Sequence, residues 1–449
     1  MTSKTRKGCA ITFATLLFLG VIAYFGSGYF LGRALESKGI RKLIAAKTAK
    51  LLDAPAGYLP LESHGMSVSS RGFLARAEPP RALTEMRAAH LSARCNLTEL
   101  WRAKWKIDNL AVQHLQAAYG TAAAQLIDRS EFPEPELVPR SQTESPLEVD
   151  IRKIDIVHTD LFWGGAPNEG GEFRDVHSNF FPREGKLFIE GAGGRFRQAK
   201  WPVAQVQKFK LLYAKPELRI DEAALTLGGA SSISATGNFR FEQQAGFDIQ
   251  LTFAQCPMGP FLSEEQRAKL EGQFDGNAHL QKQTGQTEPV RAAGAIAIAK
   301  AILKNVEALQ NVANFTGRKE LARLPISQVK ADYDWTAPTL AVKNFVLESK
   351  ELVVVKGEFT LKEKKINGEF QLGVAPDLVD KFPGAREEIF KRSEDGYLWT
   401  ELAVSGPVDN MHDNLKPRLV RAAQNHFAKG LLAPILKPGQ TIIQAIEAL

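Results

Sequence analysis

The stretch NEGGEFRDVHSNFFPREGK, residues 168–186, gathers Glu172, Asp175 and His177 beside aromatic residues. A hydrolase uses that chemistry, a carboxylate and an imidazole moving a proton near neutral pH, but only when the side chains converge. A solvated hairpin carries the same residues equally well. His158 and His177 lie on separate elements and lack the spacing of metal ligands. EGAGGRF, residues 190–196, has the glycines of a phosphate cradle without the helix start that completes one, so a turn is expected. The motifs GxxxxGK[ST], HExxH and GxSxG are absent, and no GxGxxG follows a strand. The expectation is a protein without catalytic residues, cofactor or metal, and not an enzyme.

Binding is the remaining chemistry. The 449 residues carry 57 Lys and Arg against 50 Asp and Glu, a net charge of +7. Nine basic and two acidic residues up to Asp53 account for all of it, and the rest of the chain is neutral. A nucleic-acid partner needs cations massed where phosphate lies. A neutral body supplies no such face, so no nucleic acid is expected. Trp101 and Trp105, interleaved with Arg102, Lys104 and Lys106, are better explained as one strand facing core and solvent by turns. Of three cysteines, Cys9 lies in an apolar run. Cys95 and Cys256 either pair in an oxidising compartment or remain two buried thiols, the plainer expectation.

The elements that must position any binding surface begin with Gly8 to Gly32, 25 residues without a charge. That length spans a hydrocarbon core of about 30 Å and exceeds the apolar part of a usual signal peptide, so an uncleaved anchor is favoured. Three basic residues precede the span and six follow it, and charge alone leaves its orientation undecided. Residues 33–57 read as a cationic juxtamembrane helix, with Ile40, Leu43, Ile44 and Leu51 in one stripe. Lys38, Arg41, Lys42, Lys47 and Lys50 are its candidates for contact with lipid headgroups; packing of the helix on the body is the competing reading.

Beyond Tyr58 the dominant spacing is period two, which places alternate side chains on one face of a sheet. Phe247, Ile249, Leu251 and Phe253 alternate with Asp248, Gln250 and Thr252. Val353, Val355, Phe359 and Leu361 stand in phase around Gly357, and Ile366, Phe370, Leu372 and Val374 repeat the pattern. Turn residues separate many such runs, as in a long antiparallel sheet rather than βαβ units. Helices are few: a capping box at Ser263 and Gln266 with Gly272 to end the turn, a helix from about Ala301 to Ala313, one near Pro417 with Gly430 beyond it, and a short apolar one from Ile442 to Leu449. EFPEPELVPRSQTESP, residues 131–146, reads as an exposed loop between an N-terminal β region, 58–130, and a main β domain, 147–415; residues 416–449 form C-terminal amphipathic helices.

Several of these runs carry a family resemblance. HLSARCNLTELWRAKWKIDNLAVQHLQ is similar to the N-terminal signature of AsmA-like envelope proteins, with Ile107, Asp108, Leu110 and Val112 at the matching positions. LEVDIRKIDIVHTDLFW resembles the strand that follows, and LPISQVKADYDWTAPTLAVKNFVLESKELVVVKGEFTLKEKKINGEF the family's successive short strands. LAVSGPVDNMHDNLKP resembles its closing turn, with Met411 where proline is commoner.

The resemblance implies a single-pass inner-membrane protein of a diderm bacterium, N-terminus cytoplasmic and body periplasmic. It implies a long, curved, groove-like or taco-like sheet that binds phospholipid acyl chains and supports outer-membrane assembly or lipid homeostasis and transport. Membrane lipids, and other envelope proteins, are the partners it implies. An open sheet with one apolar face must cover it with helices, a second sheet or lipid, and the helices read here are too few. Phe247, Ile249, Leu251, Phe253, Val353, Val355, Phe359, Leu361, Phe370 and Leu372 are the candidate groove residues. The alternative is an anchored structural or adhesion protein whose sheets close on each other.

Overall fold

The computed structural model describes residues 36–64, 67–78, 83–96, 104–130, 134–139, 148–164, 170–199, 201–241, 246–283, 289–408 and 410–429. The expected anchor at 8–32, Trp101, and the apolar segment from Ile442 to Leu449 lie outside them. Among the described residues no helix is long and apolar enough to cross a membrane. The described residues are mainly β, with six short helices among them. It divides into two compact units, Met1–Lys215 and Pro216–Leu449, the boundary falling within the stretch read above as one β domain.

The first unit begins with α1 (Lys38–Leu52) and the strands β1 (Ala56–Tyr58), β2 (Leu61–His64), β3 (Ser67–Arg76), β4 (Leu83–Asn96) and β5 (Lys104–Tyr119). It continues through β6 (Glu148–Ile151), β7 (Ile154–Trp163), β8 (Gly171–Arg183), β9 (Lys186–Ala192), β10 (Arg195–Gln198) and β11 (Ala204–Ala214). Ser37 caps α1 by accepting the Ile40 N–H at 3.3 Å, and Asp53 ends it in the left-handed conformation. The helix packs on the body through Ala45 and Ala49, whose small side chains allow close approach. Ala49 joins Ala54, Ala56, Phe73, Ala75 and Ile156 in one core. Of the expected stripe, Ile40 and Ile44 pack on a second core at Leu61, Val68 and Trp105, whereas Leu51 is 79% exposed.

Pairing is antiparallel except at β5, which runs parallel to β6 and β7. A parallel neighbour requires the chain to return outside the sheet. The chain makes that return between Tyr119 and Glu148, and residues 134–139, the described part of the expected loop, are pinned to the body. Glu134 accepts from Arg76 at 2.8 Å and Arg87 at 2.7 Å, Glu136 accepts from Lys42 at 3.1 Å, and Val138 bridges to Ala56. Beneath it Glu85 accepts from Arg87 at 2.5 Å and from Arg129 at 3.0 Å, with Arg76 at 3.4 Å. Glu85 and Arg87 are 2% and 3% exposed, and their charges are compensated within one network with Arg76, Arg129 and Glu134.

The second unit contains β12 (Glu217–Thr226), β13 (Ser232–Arg240), β14 (Gly246–Pro257), α2 (Glu264–Lys269), β15 (Leu270–Lys282), β16 (Arg291–Lys304) and α3 (Glu307–Thr316). Then follow β17 (Arg323–Thr336), β18 (Thr339–Ser349), β19 (Val353–Lys362), β20 (Lys365–Val374), α4 (Pro376–Val379), α5 (Ala385–Glu388), β21 (Arg392–Glu394), β22 (Tyr397–Pro407), β23 (His412–Asp413) and α6 (Leu415–Lys429). From β12 to β20 every strand pairs antiparallel with the next, and β20 then pairs with β22.

The capping box at Ser263 and Gln266 is present, but Leu270 already begins β15, so Gly272 lies within a strand. Its φ of 157° is extended backbone beside the register shift between Glu271 and Gln273. The expected helix from Ala301 to Ala313 is corrected more substantially. Ala301 to Lys304 complete β16, with Ala301 opposite Ile326 and Leu303 opposite Leu324, and the helix is Glu307–Thr316. Pro417 does fall in the first turn of α6, where Asp413 accepts the N–H groups of Leu415 and Lys416, both at 2.8 Å. The helices cluster at one end of the sheet: α3 and α4 bring Ala313 and Leu378 onto Leu324, Ile326 and Leu352, and α6 brings Ala422 onto Val379, Ile389 and Leu398.

Candidate functional site

All ten candidate groove residues fall on one face of the second unit's sheet, because the register aligns their strands in continuous rows. One row runs Ala235, Leu251, Ala278, Gly294, Tyr333, Val342, Phe359, Gly368, Val404. Its neighbour runs Gly237, Ile249, Leu280, Ala292, Trp335, Leu340, Leu361, Ile366, Gly406. On the other side Ile233, Phe253, Gly276, Ile296 and Ala331 align, and beyond a bulge Phe345, Gly357, Phe370 and Leu402. Val355 and Leu372 join Leu347 in a further row, Val353 stands opposite Val374, and Phe247 lies opposite Phe239.

The ten are half-buried, whereas Asp248, Gln250, Thr252, Glu358 and Glu369 on the opposite face are exposed. Each of the ten therefore keeps part of its surface accessible. Glycines shape the floor. The rings of Phe345, Phe359 and Phe370 lie 6.0 to 6.2 Å apart, and a Cβ at Gly368 would meet Phe359 Cβ and Phe370 Cε2 at 2.7 Å each. Glycine there lets the rings lie against the sheet. Tyr333 satisfies its hydroxyl by donating to the Asn277 carbonyl at 2.9 Å, which keeps the row apolar in effect.

At the helical end the face deepens into a cleft of about 580 Å³. Val353 and Leu372 line it from the sheet, Leu309, Leu378 and Leu419 from the helices, and Asp413 and Lys416 form its polar margin. A volume of that size suits a small apolar or amphiphilic ligand. The first unit has a separate apolar cleft of about 280 Å³ where Leu43, Ile44 and Lys47 of α1 meet Leu61, Trp105 and Ile107. Of the basic candidates, Lys47 lines this cleft, Lys42 is held by Glu136, Arg41 is half-buried, and Lys38 and Lys50 are exposed.

The acid and histidine cluster does not converge. Glu172 is paired with Arg174 at 2.8 Å and Arg197 at 3.3 Å, Asp175 with His158 at 2.5 Å, and His177 with Asp155 at 2.9 Å. The hydrogen bond with His177, helped by Lys153, holds the Asp155 carboxyl below its ordinary range. Among the described residues no group of three His, Cys, Asp or Glu is arranged to hold a metal ion. Cys95 and Cys256 are free and buried, and burial raises both thiols, which makes them poor nucleophiles.

Sequence spacing missed much of the apolar face. Phe239, Leu280, Ile296, Val342 and Leu402 belong to it, and so does Lys282, which stands opposite Phe247. Alternation assigns residues to a face of their own strand, but only register reveals which strands share that face. Comparison of the chain with family models, with curated proteins and with solved structures gave no match.

Proposed function

We propose that this protein holds lipid acyl chains on the apolar face of its β-sheet. The observation that carries the reading is the set of apolar rows from β13 to β22, two continuous and one interrupted by a bulge, in which Phe247, Ile249, Leu251 and Phe253 keep part of their surface accessible. A contiguous apolar surface of this kind marks a ligand or partner site in a folded protein. Acyl chains fit it better than a compact ligand does, because the rows are long and lack the converging polar groups that orient a small substrate. With residues 8–32 as its anchor, the protein would stand on the periplasmic side of the inner membrane and serve outer-membrane assembly or lipid homeostasis.

Mass spectrometry of the full chain, extracted gently from membranes, tests the proposal. Co-purifying phospholipid, near stoichiometric or above, is the expected result. A lipid-free protein that also takes none from vesicles would refute it and leave the structural or adhesion reading.

A further inference from the structure

Away from the helical end, the described part of this face carries one cation. Among the described residues Lys282 is the only cation in the rows that contain Phe247, Ile249, Leu251 and Phe253, and it ends the outermost of them, opposite Phe247; Asp413, beyond Val404 at the far end of the Leu251 row, is the other charged residue. Phe247 stands beside that position, and Asp248, Gln281 and Arg291 of the opposite face reach the same sheet edge. Phe239 stacks on Phe247 at 6.2 Å and meets Phe241, which is 52% exposed, at 4.7 Å. On the opposite face the local charges are matched: Arg240 with Glu217, Asp248 with His279, Arg291 with Asp334. Among the described residues no carboxylate pairs with Lys282.

Along β15 from Lys282, the positions on this face are Leu280, Ala278 and Gly276. They shrink with distance from the cation. Ile249, Leu251 and Phe253 of β14 stand on one side, and Ala292, Gly294 and Ile296 of β16 on the other. The result is a shallow trough about 20 Å long at roughly 3.4 Å per residue, against about 15 Å for the chains of one leaflet of a bilayer. A half-buried lysine at the head of an apolar trough offers its ammonium to an anion whose tail lies along the strand.

We infer that Lys282 selects the headgroup: the ligand is an anionic amphiphile, its phosphate or carboxylate on Lys282 and one chain lying over Leu280, Ala278 and Gly276. This rests on the acyl-chain reading above and adds a preference for charge. The test loads wild type, Lys282→Gln and Lys282→Arg from vesicles of equal dioleoylphosphatidylglycerol and dioleoylphosphatidylcholine, then quantifies each bound lipid.

Wild type should favour the anionic lipid by about fivefold, the effect of one lysine at a lipid surface. K282Q should bring the ratio to near one without lowering total lipid, and K282R should preserve it. An unchanged ratio in K282Q, or no preference in wild type, overturns the assignment while leaving acyl-chain binding intact. Absence of lipid from wild type instead sinks the acyl-chain reading. Excess inorganic phosphate should leave the ratio unaltered; loss of the preference to phosphate alone would assign Lys282 to a soluble anion and overturn the amphiphile.

Discussion

Replacing Leu251 by Asp puts a carboxylate in the middle of the apolar face with little cost to the empty protein. Leu251 is half-buried, and its neighbours across the strands are Ala235 and Ala278, so a shorter side chain leaves little void and its carboxylate can reach water. Bound lipid removes that water. The effective penalty for desolvating an ion without a partner is several kcal/mol, and ~3 kcal/mol corresponds to a roughly 150-fold loss of affinity. The lost affinity is pH-dependent in a stated direction. Lipid raises the pKa of the new carboxyl above its ordinary ~3.9, so binding is weak at neutral pH and returns as the solution is acidified and the group takes up a proton. Titrating L251D with a fluorescent fatty-acid probe at pH 7.5 and pH 5, with wild type as control, reads both effects. Wild-type affinity in L251D at pH 7.5, with an unaltered melting curve, would refute the placement of acyl chains on this face.

The Glu85→Gln variant should lose about 1–3 kcal/mol of stability in denaturant melts, because Arg76, Arg87 and Arg129 lose the carboxylate they share while Glu134 still holds Arg76 and Arg87. Burial alone would raise the Glu85 carboxyl, but the hydrogen bonds from Arg87 and Arg129 outweigh it and hold the group below its ordinary range. Its contribution is therefore complete above the ordinary glutamate pKa and disappears as pH falls through the lowered one, so acid should destabilise wild type more than E85Q; equal acid sensitivity would contradict this. The Gly368→Val variant should cost about 1–3 kcal/mol and displace the Phe359 and Phe370 rings, visible in near-ultraviolet circular dichroism, since a Cβ there falls 2.7 Å from both side chains.

Particular residues mark how far the sequence could be read. Asp248, Gln250 and Thr252 between Phe247, Ile249, Leu251 and Phe253 identified a half-exposed strand, and the structure places it as β14. Ala301 to Lys304 misled because Ala, Ile, Leu and Lys serve a helix as readily as a strand, and pairing with Arg323 to Ile326 decided for the strand. In α1 the larger residues Leu43 and Leu51 suggested the packed side, but the closest contact goes to Ala45 and Ala49, chosen by proximity of backbones rather than by hydrophobicity. The parallel pairing of β5 with β7 had no local sign, because it depends on where the chain returns after Tyr119. Lys282 was invisible for a similar reason. At the end of an alternating run it reads as a polar terminus, and only its position opposite Phe247 places it on the apolar face.

From β12 to β20 each strand of the second unit finds its partner in the next strand of the chain. Such a ladder is assembled from local contacts, so its folding can advance hairpin by hairpin and its loop-closure entropy stays small for an all-β structure. Its energetics are close to those of a one-dimensional array, in which each strand is stabilised by its two neighbours. A hairpin could therefore be inserted or deleted in evolution without redesigning a central core, and the apolar area would grow or shrink in proportion. If acyl chains lie there as proposed, the number held becomes a quantity that gene length can tune.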